Sequence, residues 1–352
     1  MTAVAVVGAG IAGLAAAYEL RRAGVEATLL ESERRPGGVI VSERPDSGRW
    51  VVEGGPDSFL AADPELAALA RELGIADHLV GQSARGFSLW TGAELAPLEE
   101  GEAAAVLGID AKGADLSAGF QSFAGGMEEP VAALARAVQP ALRFRIGVTG
   151  LFPARGGFRL SATGGTSFEV QGAVIALPAY VAARLLRSID GVVGRLLGEI
   201  RYYPTLTVSL AYGEEQVTRT LTGTGFVVRP GTGLPFRACA FSSAKFPGRA
   251  PAGHVLLRAF LTPQAGAADR VAHDALAPIL GLRGEPLWSR VFDWPRGLPM
   301  YGAHHAARLA EARERLVARG NLALAGAGYD GPGVSACVRS GRAAARELLT
   351  KL

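Results

Sequence analysis

The sequence predicts an α/β fold in two interleaved parts. One is built on buried parallel strands with helices between them, the other is an α+β unit on an antiparallel or mixed sheet. Three observations predict it. Residues 3–7 form a short, continuous apolar run rich in valine, a glycine-rich turn follows at once, and a helical pattern leads to a second apolar run at 25–30. Residues 173–177 and 321–325 read as further buried strands. Between them, residues 206–212, 225–229, 238–242 and 255–261 alternate or run apolar with β-branched residues, as strands of an antiparallel sheet do.

The turn after the first strand is Gly8-Ala9-Gly10-Ile11-Ala12-Gly13. Gly8 suits the tight turn, Gly10 lets a pyrophosphate approach the backbone, and Gly13 lets the helix pack against the strand. The first-turn N–H groups, those of Ile11 and Ala12 among them, and the positive end of the helix dipole then face the phosphates. Leu14, Ala17, Tyr18 and Leu20 recur at helical spacing, and Gly24 lies just past the helix end. Glu31, followed by Ser32, closes the second strand about 20 residues on, where an acid accepts hydrogen bonds from ribose hydroxyls. Strand, turn, helix, strand and acid together predict a Rossmann-like dinucleotide site.

The 352 residues suffice for two interleaved domains or one large one, and 49% hydrophobic content supports a sizeable core. Mean hydropathy is +0.22, and a net charge of +3 with pI near 9.0 is mild. No Lys/Arg run or aromatic–basic alternation points to nucleic acid. The two cysteines, Cys239 and Cys337, have no metal spacing and read most simply as reduced thiols. No basic leader precedes the first strand, and no apolar stretch reaches the ~18 residues of a membrane span. The expectation is a soluble, cytoplasmic protein; nothing argues for or against an oligomer.

Arg35-Pro36-Gly37-Gly38 adds a second glycine pair just after the ribose acid, a pattern that goes with FAD rather than NAD, and Arg35 can pair with a phosphate. Residues 50–53 look like a strand. Gly55-Pro56-Asp57-Ser58-Phe59 follows, then a helix opened by Asp63-Pro64 and ended by Gly74. In this combination the chain resembles the protoporphyrinogen oxidase family, FAD-dependent enzymes of the flavin amine oxidase-like superfamily. Later stretches carry the same resemblance: residues 241–251 and 254–260, the segment Trp294-Pro295-Arg296-Gly297, and the run Gly326-Ala327-Gly328-Tyr329-Asp330-Gly331-Pro332-Gly333-Val334. It covers nearly the whole chain.

The resemblance implies an FAD-binding, glutathione-reductase-type domain at 1–84, 124–190 and 290–352, and a substrate domain at 85–98 and 191–289. Family members carry a membrane-facing helical insertion where this chain has a short connector, 99–123, so membrane contact is expected to be lost or weak. Within the connector, residues 108–117 look like a degraded family motif. FAD is expected on Gly8, Gly10, Ile11, Ala12, Gly13, Glu31, Ser32, Arg35, Gly37, Gly38, Gly55, Pro56, Asp57, Val148, Trp294, Gly326, Ala327, Gly333 and Val334. Toward substrate, Phe260 matches an aromatic that stacks on a tetrapyrrole ring, and Val227 and Ala240 match two larger apolar residues that sandwich it. Arg85 falls near a propionate-binding basic residue, and Gly108 at a glycine whose carbonyl faces the substrate.

The implied reaction is oxidation of protoporphyrinogen IX to protoporphyrin IX with O2 as acceptor; coproporphyrinogen III is the alternative substrate. It needs no protein nucleophile and no metal, because flavin N5 takes the hydride while the protein supplies position and carboxylate clamps. Accordingly no catalytic side chain is expected, and His304-His305 read as structural or surface residues. Two other readings are an FAD- and porphyrin-binding scaffold with little turnover, and an amine oxidase in which Lys245 would sit by a water near the flavin.

Overall fold

A computed structural model describes residues 2–107, 115–263 and 266–352. The first strand, Thr2–Val7, lies between Ala27–Leu30 and Ser167–Ile175 and is parallel to both. Leu142–Arg143 extends this sheet on one side, and Leu322–Leu324 joins Ser167–Ile175 in parallel. Val148–Ala154 and Gly157–Ala162 complete it as an antiparallel hairpin. Successive side chains of a strand point to opposite faces, so the apolar run of the first strand feeds two cores. Val4 and Val6 pack with the helices Ile11–Arg22, Pro64–Glu72, Glu128–Ala137 and Val334–Leu349. Ala5 and Val7 pack with Ala179–Leu186, Gly191–Gly198 and His305–Val317. A continuous apolar strand is thus what a sheet covered on both faces requires.

The second sheet runs Trp288–Pro299, Tyr202–Gly213, His254–Leu261, Phe236–Phe241, Gly225–Val228, Phe87–Trp90 and Leu95–Leu98. It is mixed, because Gly225–Val228 pairs in parallel with Phe87–Trp90 while the other neighbours are antiparallel. One face packs against the helix Ala268–Leu280 through Leu206, Val208, Leu257 and Ala259. The opposite face carries Thr207, Ala240, Arg258 and Phe260, and turns toward residues 54–57.

Two expectations about boundaries change. Trp288–Pro299 is one twelve-residue strand paired with Tyr202–Gly213, so it crosses the expected division at 290. Phe120–Phe123, placed by the sequence reading in the connector, is the middle strand of a small sheet between Phe59–Leu60 and Leu79–Gly81. What remains of the connector opens with the helix Glu100–Leu107. Cys239 and Cys337 are free and buried, and no helix among the described residues is long and apolar enough to cross a membrane.

Candidate active site

The glycine turn has the geometry its spacing predicts. Gly8 adopts φ +99°, and a Cβ there would meet the Ala176 carbonyl oxygen at 2.5 Å. A Cβ at Gly13 would lie 1.9 Å from the Gly8 oxygen, so only glycine lets the helix sit this close to the strand. Gly10 is the opposite case: a Cβ there meets nothing within 4 Å. The helix Ile11–Arg22 starts at this open position without a side-chain cap and without an acid in its first turn. The helix Val334–Leu349 starts in the same way after Gly333. Two uncapped helix starts with space before the first suit a pyrophosphate. Glu31 is 8% exposed; its Oε2 accepts from the Ala9 N–H at 2.7 Å and its Oε1 from the Glu33 N–H at 2.9 Å. The carboxylate is therefore fixed beside the turn, and Ser32 Oγ donates to it at 3.2 Å.

The other expected cofactor segments converge on this turn. Gly37 pairs with Gly10, its N–H donating to the Ala9 carbonyl at 2.8 Å. A Cβ at Gly55 would fall 1.9 Å from the Val39 oxygen, so the Gly54–Asp57 loop lies directly on the second glycine loop. Trp294 Nε1 donates to the Gly54 carbonyl at 2.8 Å. On the C-terminal side a Cβ at Gly326 would lie 3.8 Å from Ala12 Cβ, and the Ala327 carbonyl accepts from the Tyr301 hydroxyl. Val148 follows Gly147, whose own Cβ would sit 3.6 Å from that of Ser32, which puts it at the far end of the same groove. The Arg35 guanidinium donates to the carbonyls of Pro36, Gly38 and Ile40 and so braces the second glycine loop.

The expected substrate residues separate. Val227, Ala240 and Phe260 lie on one face of the second sheet, through the pairings Val227–Ala238, Gly225–Ala240 and Ala238–Phe260. Val227 is fully buried, packed with Ala103 of the helix Glu100–Leu107. The same helix is tied down by Arg237 Nη2, which donates to the Leu107 carbonyl at 2.7 Å. Val227 thus supports the connector helix instead of presenting a free surface, while half-buried Phe260 keeps part of its ring exposed. Arg85 is exposed and donates to the carbonyls of Ser117 at 2.6 Å and Ala118 at 3.2 Å, so its head group anchors the end of the connector. Gly108 lies outside the described residues.

Five charged side chains lie behind the Gly54–Asp57 loop, a feature the sequence reading missed apart from Asp57 and Lys245. Lys245 Nζ donates to both Asp57 oxygens and to Ser58 Oγ, each at 3.1 Å. The ammonium beside it, helped by Arg258, holds the Asp57 carboxyl well below the usual carboxylate range despite its burial. Arg249 donates to Ser122 Oγ at 2.6 Å and the Phe123 carbonyl at 3.1 Å, and lies 3.3 Å from Glu53. Burial pushes the Glu53 carboxyl up to about 6, against the pull of Arg249, Ser42 and the Met127 N–H. Arg258 Nη2 donates to the Gly55 carbonyl at 2.8 Å. His305 is buried at the start of its helix, Nε2 3.4 Å from the Tyr329 carbonyl, and burial pushes its imidazole pKa down. Among the described residues no group of His, Cys, Asp and Glu is placed to hold a metal.

A glycine cradle between two uncapped helix starts, facing a mixed sheet, defines a two-part dinucleotide-binding protein of the α/β class. The family described as flavin containing amine oxidoreductase matches residues 11–98 and 81–349, and the chain belongs to it. A coproporphyrinogen III oxidase of Bacillus subtilis (strain 168) is 23% identical over 470 positions, covering 99% of this chain and 98% of the relative. Protoporphyrinogen oxidase 1, chloroplastic, of Spinacia oleracea is 27% identical over 211 positions, covering 52% of this chain and 36% of its own. A crystal structure of a protein from Exiguobacterium sp. 255-15 shares the fold with TM-score 0.84 at 22% identity, over 100% of this chain and 99% of that one. The family is flavin-containing and the cradle fits a dinucleotide, so the cofactor is FAD and the protein is an FAD oxidoreductase.

Proposed function

We propose that this chain oxidises a porphyrinogen to the porphyrin, with FAD taking the hydrogen and O2 taking the electrons from it. The observation that carries the reading is the contact between the two halves of the site. The Gly54–Asp57 loop touches the FAD cradle at Val39 on one side and the sheet face of Arg258 and Phe260 on the other. Bound FAD supplies a hydride acceptor for a saturated carbon of the substrate. The chain supplies the rest. Gly10 and the amides of Ile11 and Ala12 would hold the pyrophosphate, Glu31 the ribose, and Val148 the adenine. Gly333 and Val334 present the second helix start to the flavin side. Phe260 offers a ring face to a pyrrole ring of the tetrapyrrole, and the apolar side chains around it keep water away.

The division into an FAD part and a substrate part belongs to this reading, as does the shortened connector. It is supported by a match that runs over 470 positions in the Bacillus subtilis relative, against 352 residues here. Protoporphyrinogen IX and coproporphyrinogen III are the two candidate substrates. Three relatives that align over nearly the whole chain are coproporphyrinogen III oxidases and others that align over about half of it are protoporphyrinogen oxidases, which supports keeping both. An amine substrate is disfavoured by Lys245: its ammonium is buried and paired with Asp57 and Ser58 behind the Gly54–Asp57 loop.

The test is purified yellow protein under air with each porphyrinogen in turn. Porphyrin fluorescence is expected to develop from at least one, faster than in the protein-free control. No enzyme-dependent fluorescence from either overturns the proposal.

A further inference from the structure

Arg258 is 4% exposed, on the sheet face behind the Gly54–Asp57 loop. Its neighbours Lys245 and Arg249 each have a carboxylate, Asp57 and Glu53 respectively. Two carboxylates and two cations already balance. Arg258 is a third cation with no carboxylate in ion-pair contact among the described residues, and its Nε is buried without a hydrogen-bond partner there. It lines a cavity of about 10 Å³ together with Asp57, Ser209 and Ser242. Asp57 and Glu53 act on it only from beyond ion-pair distance, so the burial of this cation is poorly compensated by contact. What Arg258 does hold is specific. Nη2 grips the Gly55 carbonyl at 2.8 Å, with a longer contact to Thr207 Oγ1 at 3.4 Å, and the guanidinium lies 5.0 Å from the centre of the Phe260 ring.

The geometry points to Arg258 as a positioning residue that sets the Gly54–Asp57 loop against FAD and joins that loop to the Phe260 ring. Groups that support a binding site without touching the ligand act by fixing the rotamers and loops that do touch it. The hydrogen bond from a charged donor fixes the Gly55 peptide, and the Gly55 Cα lies against the second glycine loop at Val39. The stack on Phe260 holds the ring expected to face a substrate. One side chain thereby links the cofactor and substrate halves. The inference depends on FAD occupying the cradle and not on the identity of the substrate.

The test uses Arg258→Met in the full chain, stripped of flavin and titrated with FAD. The expected result is a split. The FAD dissociation constant rises by about tenfold or more, the scale of a lost charged hydrogen bond in a supporting shell, and the visible circular dichroism of the bound flavin changes. The urea midpoint of the apoprotein stays the same or rises. Arg258→Lys, which keeps the charge and a donor, recovers most of the affinity. An unchanged FAD dissociation constant with an unchanged flavin spectrum overturns the inference. So does an apoprotein that fails to fold or unfolds at markedly lower urea, because Arg258 would then be a structural cation. Porphyrinogen turnover plays no part, so this result stands apart from the substrate assay.

Discussion

Lys245 is buried and bonded to Asp57 and Ser58. Its partner Asp57 belongs to the loop that meets the cofactor cradle, so the pair fastens that loop to the second sheet. Breaking a buried pair from one side takes from Asp57 the only cation in contact with it among the described residues and leaves Arg258 beyond ion-pair distance, so Lys245→Met is expected to lower stability at neutral pH, by up to about 3–5 kcal/mol. The pH dependence has a definite sign. A carboxyl held low in the fold contributes stability above its ordinary value of 3.8, and that stability is lost as pH falls through the folded value. In Lys245→Met the orphaned Asp57 takes up its proton at higher pH, so the gap to the parent narrows on acidification. Urea melts at neutral and acidic pH check this, and a gap that stays constant contradicts it.

The opening strand–turn–helix separates two uses of glycine. Gly13 is needed by the fold, since a Cβ there meets backbone at 1.9 Å, whereas Gly10 faces open space. Gly13→Ala is therefore expected to lower the melting temperature of the flavin-free protein. Gly10→Ala is expected to leave that temperature unchanged and to weaken FAD binding, measured by titration of the apoprotein. Equal thermal losses in the two would contradict the account. This element is legible in the sequence because everything that defines it is local: strand, turn, helix and Glu31 follow one another within about 30 residues. The four strands between 206 and 261 are legible for the same reason, by their apolar alternation. Trp288–Pro299 is not, because Pro295 and Gly297 interrupt its pattern, and its pairing with Tyr202–Gly213 is what makes it a strand. Arg258 is hidden for a stronger reason. Its partner Gly55 lies 203 residues away, and nothing near Arg258 in sequence marks it as other than one more arginine in a strand. Arg35 and Arg85 show the converse: a basic residue in a suggestive place can be taken up by nearby carbonyls.

The whole molecule gathers one site from distant parts of the chain. Gly10 pairs with Gly37, Gly55 lies on Val39, Trp294 is bonded to Gly54, Gly147 lies beside Ser32 and Gly326 beside Ala12, and the mixed sheet reaches the Gly54–Asp57 loop through Arg258. The connector helix Glu100–Leu107 covers part of that sheet face over Val227, while Phe260 is half-buried beside the Arg258 head group. An oxidase and a porphyrin-binding scaffold would share this architecture; they differ in whether hydrogen passes from ligand to flavin. Anaerobic addition of coproporphyrinogen III, and separately protoporphyrinogen IX, to the FAD-loaded protein tests that transfer directly. The account predicts that the flavin absorbance bleaches as porphyrin absorbance grows, and returns when air is admitted. Binding of either compound with the flavin absorbance unchanged would contradict it.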